Sequence, residues 1–174
     1  MKSINFFAKV FWFVVLYCLY TNLSIAGDAP RPRHGDYVGL KFQFVRTFHS
    51  PIEIEIRSDY GMNVVFFTTR VYSGRGGFDW GDVLSESTRR ISREEFDSII
   101  SEVEGLGLPE LYGEYPRIES GDGSMWRIAG VRMGSDFRYT FRSPPQVKAA
   151  DKLVVFGRKM LNLGNIKLKE SEFY

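Results

Sequence analysis

Apolar side chains recur with helical spacing in two stretches of the chain and with strand alternation in most of the rest. The clearest helix runs from 91 to 106. Phe96, Ile99, Ile100 and Val103 stand at i, i+3, i+4 and i+7, which is one face of a helix. Ser92 is placed to cap its start and Glu95 follows three residues on, the spacing of a capping box. Ile91 and Phe96 have the spacing of a hydrophobic staple. Gly105 and Gly107 end the helix, and Pro109 opposes its resumption. The second helical stripe comprises Val147, Ala150, Leu153, Val154, Phe156, Met160 and Leu161, preceded by Pro144-Pro145 and ended by Gly164.

Alternation marks the strands. From Gly39 to Phe48, Leu40, Phe42, Phe44 and Phe48 share a face with Arg46, whose stem can pack at the rim while its head reaches water. Ile52, Ile54 and Ile56 alternate with Glu53, Glu55 and Arg57. Ser58 to Gly61 supplies a turn, and Met62 to Tyr72 is rich in β-branched and aromatic residues, as a central strand is. Met125 to Val131 and Asp136 to Arg142 form a second hairpin after the turn Gly121-Asp122-Gly123.

The order is therefore β-β-β-α-β-β-α. It specifies an α+β domain with a mostly antiparallel sheet of about five strands and both helices on one face. The opposite sheet face is left partly exposed and carries the row Glu53, Glu55 and Arg57. Residues 73–90 show no period and read as a long glycine-rich loop. Residues 108–120 read as an irregular connection, and the charged tail 165–174 is expected to fray.

The first 26 residues change the picture. Lys2 and Lys9 precede the apolar run Val10 to Tyr20, and Ser24-Ile25-Ala26 has the small residues that signal peptidase reads. Residues 1–26 are expected to be a signal peptide cut before Gly27, with no stable membrane span remaining. The alternative is an uncleaved membrane anchor, for which the apolar run is short. Residues 27–36 form a Pro- and Arg-containing lead-in that includes His34, and 37–164 a single domain.

Lys2 and Lys9 are the only charges in that leader, so the remainder carries 21 basic and 21 acidic residues. A neutral chain whose longest basic run is Arg89-Arg90 lacks the footprint of a nucleic-acid partner. The single cysteine, Cys18, leaves with the leader. That excludes a disulfide scaffold, a thiol nucleophile and a Cys/His zinc site.

The pieces Ile91 to Phe96 (Ile-Ser-x-Glu-Glu-Phe), Asp122-Gly123 to Trp126 and Pro144 to Leu163 together resemble a group of small uncharacterised exported bacterial α+β proteins. The resemblance spans roughly 52 to 163. It implies the fold and an exported bacterial setting, and it brings no catalytic residue with it.

Only His34 and His49 are available as histidines, and the HExxH, DxDxDG and GxSxG patterns are absent. Gly74-Arg75-Gly76-Gly77 lacks the Lys-Ser/Thr end of a phosphate loop. No cofactor is implied. Two functional classes remain. Asp79, Asp82 and Asp122 could supply a carboxylate pair for hydrolysis of cell-envelope material. The favoured class is an exported binding module for a protein partner, such as an inhibitor, an immunity-type protein or an envelope adaptor. Its expected site is the 73–90 loop, with Phe78 and Trp80 as apolar anchors, Asp79 and Asp82 as polar partners and Arg75 as a rim charge.

Overall fold

The computed structural model describes residues 39–59, 64–116, 123–132 and 135–173, all within one compact unit. The leader, the lead-in with His34, and Asp122 lie outside the described residues.

Six strands form one open antiparallel sheet: β1 Gly39–Arg46, β2 Ile52–Asp59, β3 Val64–Tyr72, β4 Val83–Ile91, β5 Ser124–Arg132 and β6 Ser135–Arg142. Their order across the sheet is β4-β3-β2-β1-β5-β6. β1 is central, pairing with β2 on one side and β5 on the other. The chain reaches edge strand β4 through three successive antiparallel pairings, β1 with β2, β2 with β3 and β3 with β4. It then crosses one face through helices α1 (Arg93–Gly105) and α2 (Leu108–Glu114) to enter β5. After β6 it passes two short 3-10 turns and returns in α3 (Asp151–Leu163).

The alternation decides which face is dry. Leu40, Phe42 and Phe44 of β1, Ile54 and Ile56 of β2, Phe67 of β3, and Trp126 and Ile128 of β5 are all buried against Phe96, Ile99, Ile100 and Val103 of α1 and Leu153, Phe156, Met160 and Leu161 of α3. Trp126 is the centre. Its ring meets Phe42 and Phe44 edge-on at 5.8 and 5.4 Å, and its Nε1 donates to Ser124 Oγ at 2.9 Å. α3 fits over it because residue 157 is glycine: a Cβ there would stand 2.0 Å from Trp126 Cζ3.

Helix α1 begins as its sequence requires, with Ser92 Oγ accepting from Glu95 N at 3.1 Å. The Glu95 carboxylate turns away from the cap and pairs with Arg89 at 2.8 Å.

Three expectations are corrected. The sheet has six strands rather than about five, because 83–91, expected to be loop, is β4. Only Ile91 of this strand is buried, so no apolar alternation marks it. Pairing with β3 holds it instead, helped by Thr68–Thr88 hydroxyls 3.0 Å apart and Arg70–Glu86 at 2.6 Å. The expected irregular stretch after 108 contains α2, where Pro109 sits in the first turn and starts a helix rather than only ending one. The tail is also tied down. Phe173 is buried beside Phe44 at 6.0 Å, Arg158 lies over its ring, and Glu172 pairs with the buried Arg46 at 3.2 Å.

Candidate binding surface

The face opposite the helices carries a polar row that follows the strand register. Glu86, Arg70, Glu53, Gln43, Arg127 and Thr140 are successive cross-strand partners from β4 to β6. Each is hydrogen-bonded to the next. Arg70 donates to Glu86 at 2.6 Å and to Glu53 at 3.1 Å. Gln43 donates to Glu53 at 2.7 Å, and Arg127 donates to the Gln43 oxygen at 2.8 Å and to Thr140 at 3.4 Å.

Glu53 is the hub and is only 5% exposed. Its Oε1 accepts from Arg70 and from the Tyr72 hydroxyl at 3.4 Å, and its Oε2 accepts from Gln43 and lies 3.3 Å from Lys41. Burial pushes its pKa up, but the Gln43 hydrogen bond and the Lys41 and Arg70 charges outweigh that and leave it lowered. A carboxylate held ionised with both oxygens engaged has neither a proton to give nor an acceptor to spare. Burial and the Glu53 charge raise the Tyr72 pKa.

At one end of this face two loops meet. Phe48 N donates to Gly76 O at 3.2 Å and Gly76 N to His49 O at 2.8 Å, joining the β1–β2 and β3–β4 connections. Only glycine permits this approach, since a Cβ on Gly76 would stand 2.1 Å from Arg46 O. Residues 73–82 are further closed by Ser73 N to Asp82 O at 2.8 Å and Gly74 N to Trp80 O at 2.9 Å.

The expected site residues all fall in this loop, and it sends them in different directions. Phe78 is 71% exposed and stacks on Phe48, itself 64% exposed, with centroids 5.5 Å apart. Trp80 is half-buried and meets the Tyr72 ring edge-on at 4.9 Å, beside the polar row rather than beside Phe78. Arg75, Asp79 and Asp82 are exposed, and Asp82 N donates to Ser73 Oγ at 2.9 Å. Tyr112 and Tyr115 pack on Phe141 at 5.9 and 5.1 Å, so they belong to the helical side.

Phe48 was not among the expected site residues. Its backbone is left-handed, with φ 64°, a region that costs a bulky residue of order 1–2 kcal/mol. The sequence signal was an aromatic followed by His-Ser-Pro in a turn. Glu53, Gln43, Arg70 and Arg127 were signalled only as polar positions between buried neighbours.

Among the described residues, no group of three or more His, Cys, Asp or Glu side chains is placed to hold a metal ion, and no helix is long and apolar enough to cross a membrane. No protein-family model matches the chain, and no curated protein matches its sequence. Fold and surface together define an α+β protein with an open-faced antiparallel sheet.

Proposed function

We propose that this is an exported, non-catalytic binding module that docks a protein partner on the Phe48–Phe78 end of its sheet. The carrying observation is the pairing of two exposed phenylalanines, one of them held in a left-handed backbone conformation. Backbone strain and exposed aromatic area both work against the isolated fold, and both suit a surface that a partner covers. Arg75, Asp79 and Asp82 surround the pair as a polar rim, and Trp80 braces the loop against Tyr72. Export rests on the pattern of the first 26 residues. The alternative, a carboxylate-dependent hydrolase, has less support: Glu53 is fully engaged, and Asp79 and Asp82 stand exposed on the loop.

The test is capture of partners from cell-envelope extract by the full chain, with Phe78→Ser as control. Phe78 makes its one described ring contact with Phe48, so the variant keeps the fold. A stoichiometric protein partner that Phe78→Ser loses supports the reading. The same partners with both baits, or none with either, overturns it.

A further inference from the structure

The open face is electrostatically divided. Its β2 and β4 carboxylates are satisfied: Arg70 bonds Glu53, Glu55 and Glu86, and Lys41 joins Glu53. The β5–β6 half is different. Among the described residues Arg127 has only neutral acceptors, the Gln43 oxygen at 2.8 Å, Thr140 Oγ1 at 3.4 Å and Met125 Sδ at 4.0 Å. Arg138, two residues from Thr140 on the same face, is exposed and has no ion pair among the described residues. Arg127 lies opposite Thr140 and Arg138 opposite Ala129, so the two are diagonal neighbours on one face, and burial and the charge of Arg138 both depress the Arg127 pKa.

Arg138 also lines a cleft of about 650 Å³ whose other open-face residues are Gly39, Lys41, Glu55, Arg57, Ala129, Val131 and Asp136. Ala129 and Val131 put small apolar side chains on its floor, and Gly39, opposite Val131 in the register, leaves bare backbone beside them. Arg57 stands on its opposite wall without a described partner. Lys41 and Glu55 are already engaged. Arg127 stands at the edge of this cleft rather than in its lining, two residues before Ala129 on β5 and diagonal to Arg138 in the register, and with Arg57 and Arg138 it sets three positive charges against Asp136 beside the floor. That volume falls in the range of small-molecule sites.

We propose that this cleft binds a phosphate monoester with a flat apolar body, the dianion lying between Arg127 and Arg138 and the body on Gly39, Ala129 and Val131. Two uncompensated charges match a dianion better than a monocarboxylate. The forked donors of arginine suit phosphate oxygens. Gln43, fixed by Glu53, holds Arg127 in position before any ligand arrives, so little order has to be gained on binding. The site is separate from the Phe48–Phe78 surface and stands or falls independently of it.

The test is titration of the full chain at low ionic strength with phenyl phosphate, inorganic phosphate and benzoate, followed by calorimetry. Phenyl phosphate should bind saturably and more tightly than either of the others. Arg138→Gln, at an exposed position, should weaken both phosphate probes by about tenfold or more, since it removes a charged hydrogen-bond donor to the dianion. Ala129→Leu fills the floor and should remove the advantage of phenyl phosphate over inorganic phosphate. Absence of saturable phenyl phosphate binding, affinity unchanged in Arg138→Gln, or benzoate binding equally well would each overturn the proposal. So would capture by vesicles of phosphatidic acid in phosphatidylcholine without phenyl phosphate binding, which would assign the arginines to a lipid surface.

Discussion

Replacing Phe48 by asparagine separates a binding role from a structural one, because the first predicts nearly unchanged stability and the second a loss. Phe48 is 64% exposed, and its one described ring contact is Phe78 at 5.5 Å. A ring stack of this kind contributes about 0.5–1.5 kcal/mol, toward the low end where both rings face water. Against that stands φ 64°, which costs a non-glycine residue of order 1–2 kcal/mol and which asparagine tolerates through local hydrogen bonding. The two effects nearly cancel. Phe48→Asn should therefore change unfolding stability by less than about 1 kcal/mol, whereas truncating a core phenylalanine costs about 3–5. The assay is urea unfolding followed by far-UV circular dichroism, with the m-value checked for constancy, alongside partner capture. Lost capture at unchanged stability fits an aromatic retained for contact. A stability loss above about 2 kcal/mol would refute the reasoning, since Phe48 would then be part of the packing.

Glu53→Gln should cost about 1–3 kcal/mol at neutral pH, because it removes the charge that Arg70, Lys41 and Gln43 all address. The folded pKa of Glu53 is lowered, so its contribution is present above the unfolded value near 4.5 and disappears as pH falls through the folded one. The gap between wild type and variant should narrow on acidification, as pH-dependent urea midpoints would show. Gly157→Ala should destabilise: overpacking against Trp126 costs about 1–3 kcal/mol and outweighs the ~1 kcal/mol helix gain of alanine over glycine. In a Trp126→Phe background the sign should reverse, and a double-mutant cycle by circular dichroism tests it. Burial pushes the Tyr115 pKa up to about 12, from 10, with its hydroxyl donating to Arg142 O at 2.6 Å. Its contribution is complete below pH 10 and lost as pH rises through 12, so Tyr115→Phe should flatten the alkaline limb of the stability profile.

The parts of the fold legible in the sequence were those whose burial has a period. α1 could be read from its cap and stripe, β1, β2 and β5 from alternation that puts a row of side chains into the core, β3 from its β-branched and aromatic content, and β6 from Phe137, Tyr139 and Phe141 on one face, of which Phe141 is buried. β4 puts in only Ile91. An edge strand whose residues 83–90 stay exposed has no apolar row to show, and charges such as its Glu86, Arg89 and Arg90 oppose pairing of such an edge with other chains. α2 was hidden by Pro109, which the same local chemistry allows at a helix start as well as after an end. The tail was misjudged because its charges suggested solvent, whereas Arg46, buried over the Phe44 ring, pairs with Glu172. Composition placed Phe78 and Trp80 in one loop but could not say that they diverge. That depends on Gly76 lowering the loop onto the end of β1.

The polar row itself bears on what the open face is for. A solvated sheet face can leave each charged side chain in water, where isolated surface pairs contribute about 0–1 kcal/mol. Here one link is missing from no strand, and the central carboxylate is withdrawn to 5% exposure. Withdrawing a charge is costly unless every donor around it is in place, so the row fixes the rotamers of Gln43, Arg70 and Arg127 together. The result is a face whose carboxylates toward β4 are each bonded to Arg70 or Lys41, and whose Arg127 and Arg138 toward β6 have no carboxylate partner among the described residues. A ligand approaching it meets a fixed charge pattern rather than a set of mobile side chains. Loosening the row should therefore weaken anion binding: Gln43→Leu leaves every charge in place but removes the oxygen that holds Arg127, and phenyl phosphate affinity should fall with it. Unchanged affinity would mean that Arg127 is held by Thr140 alone and that the row is a stability device without a part in recognition.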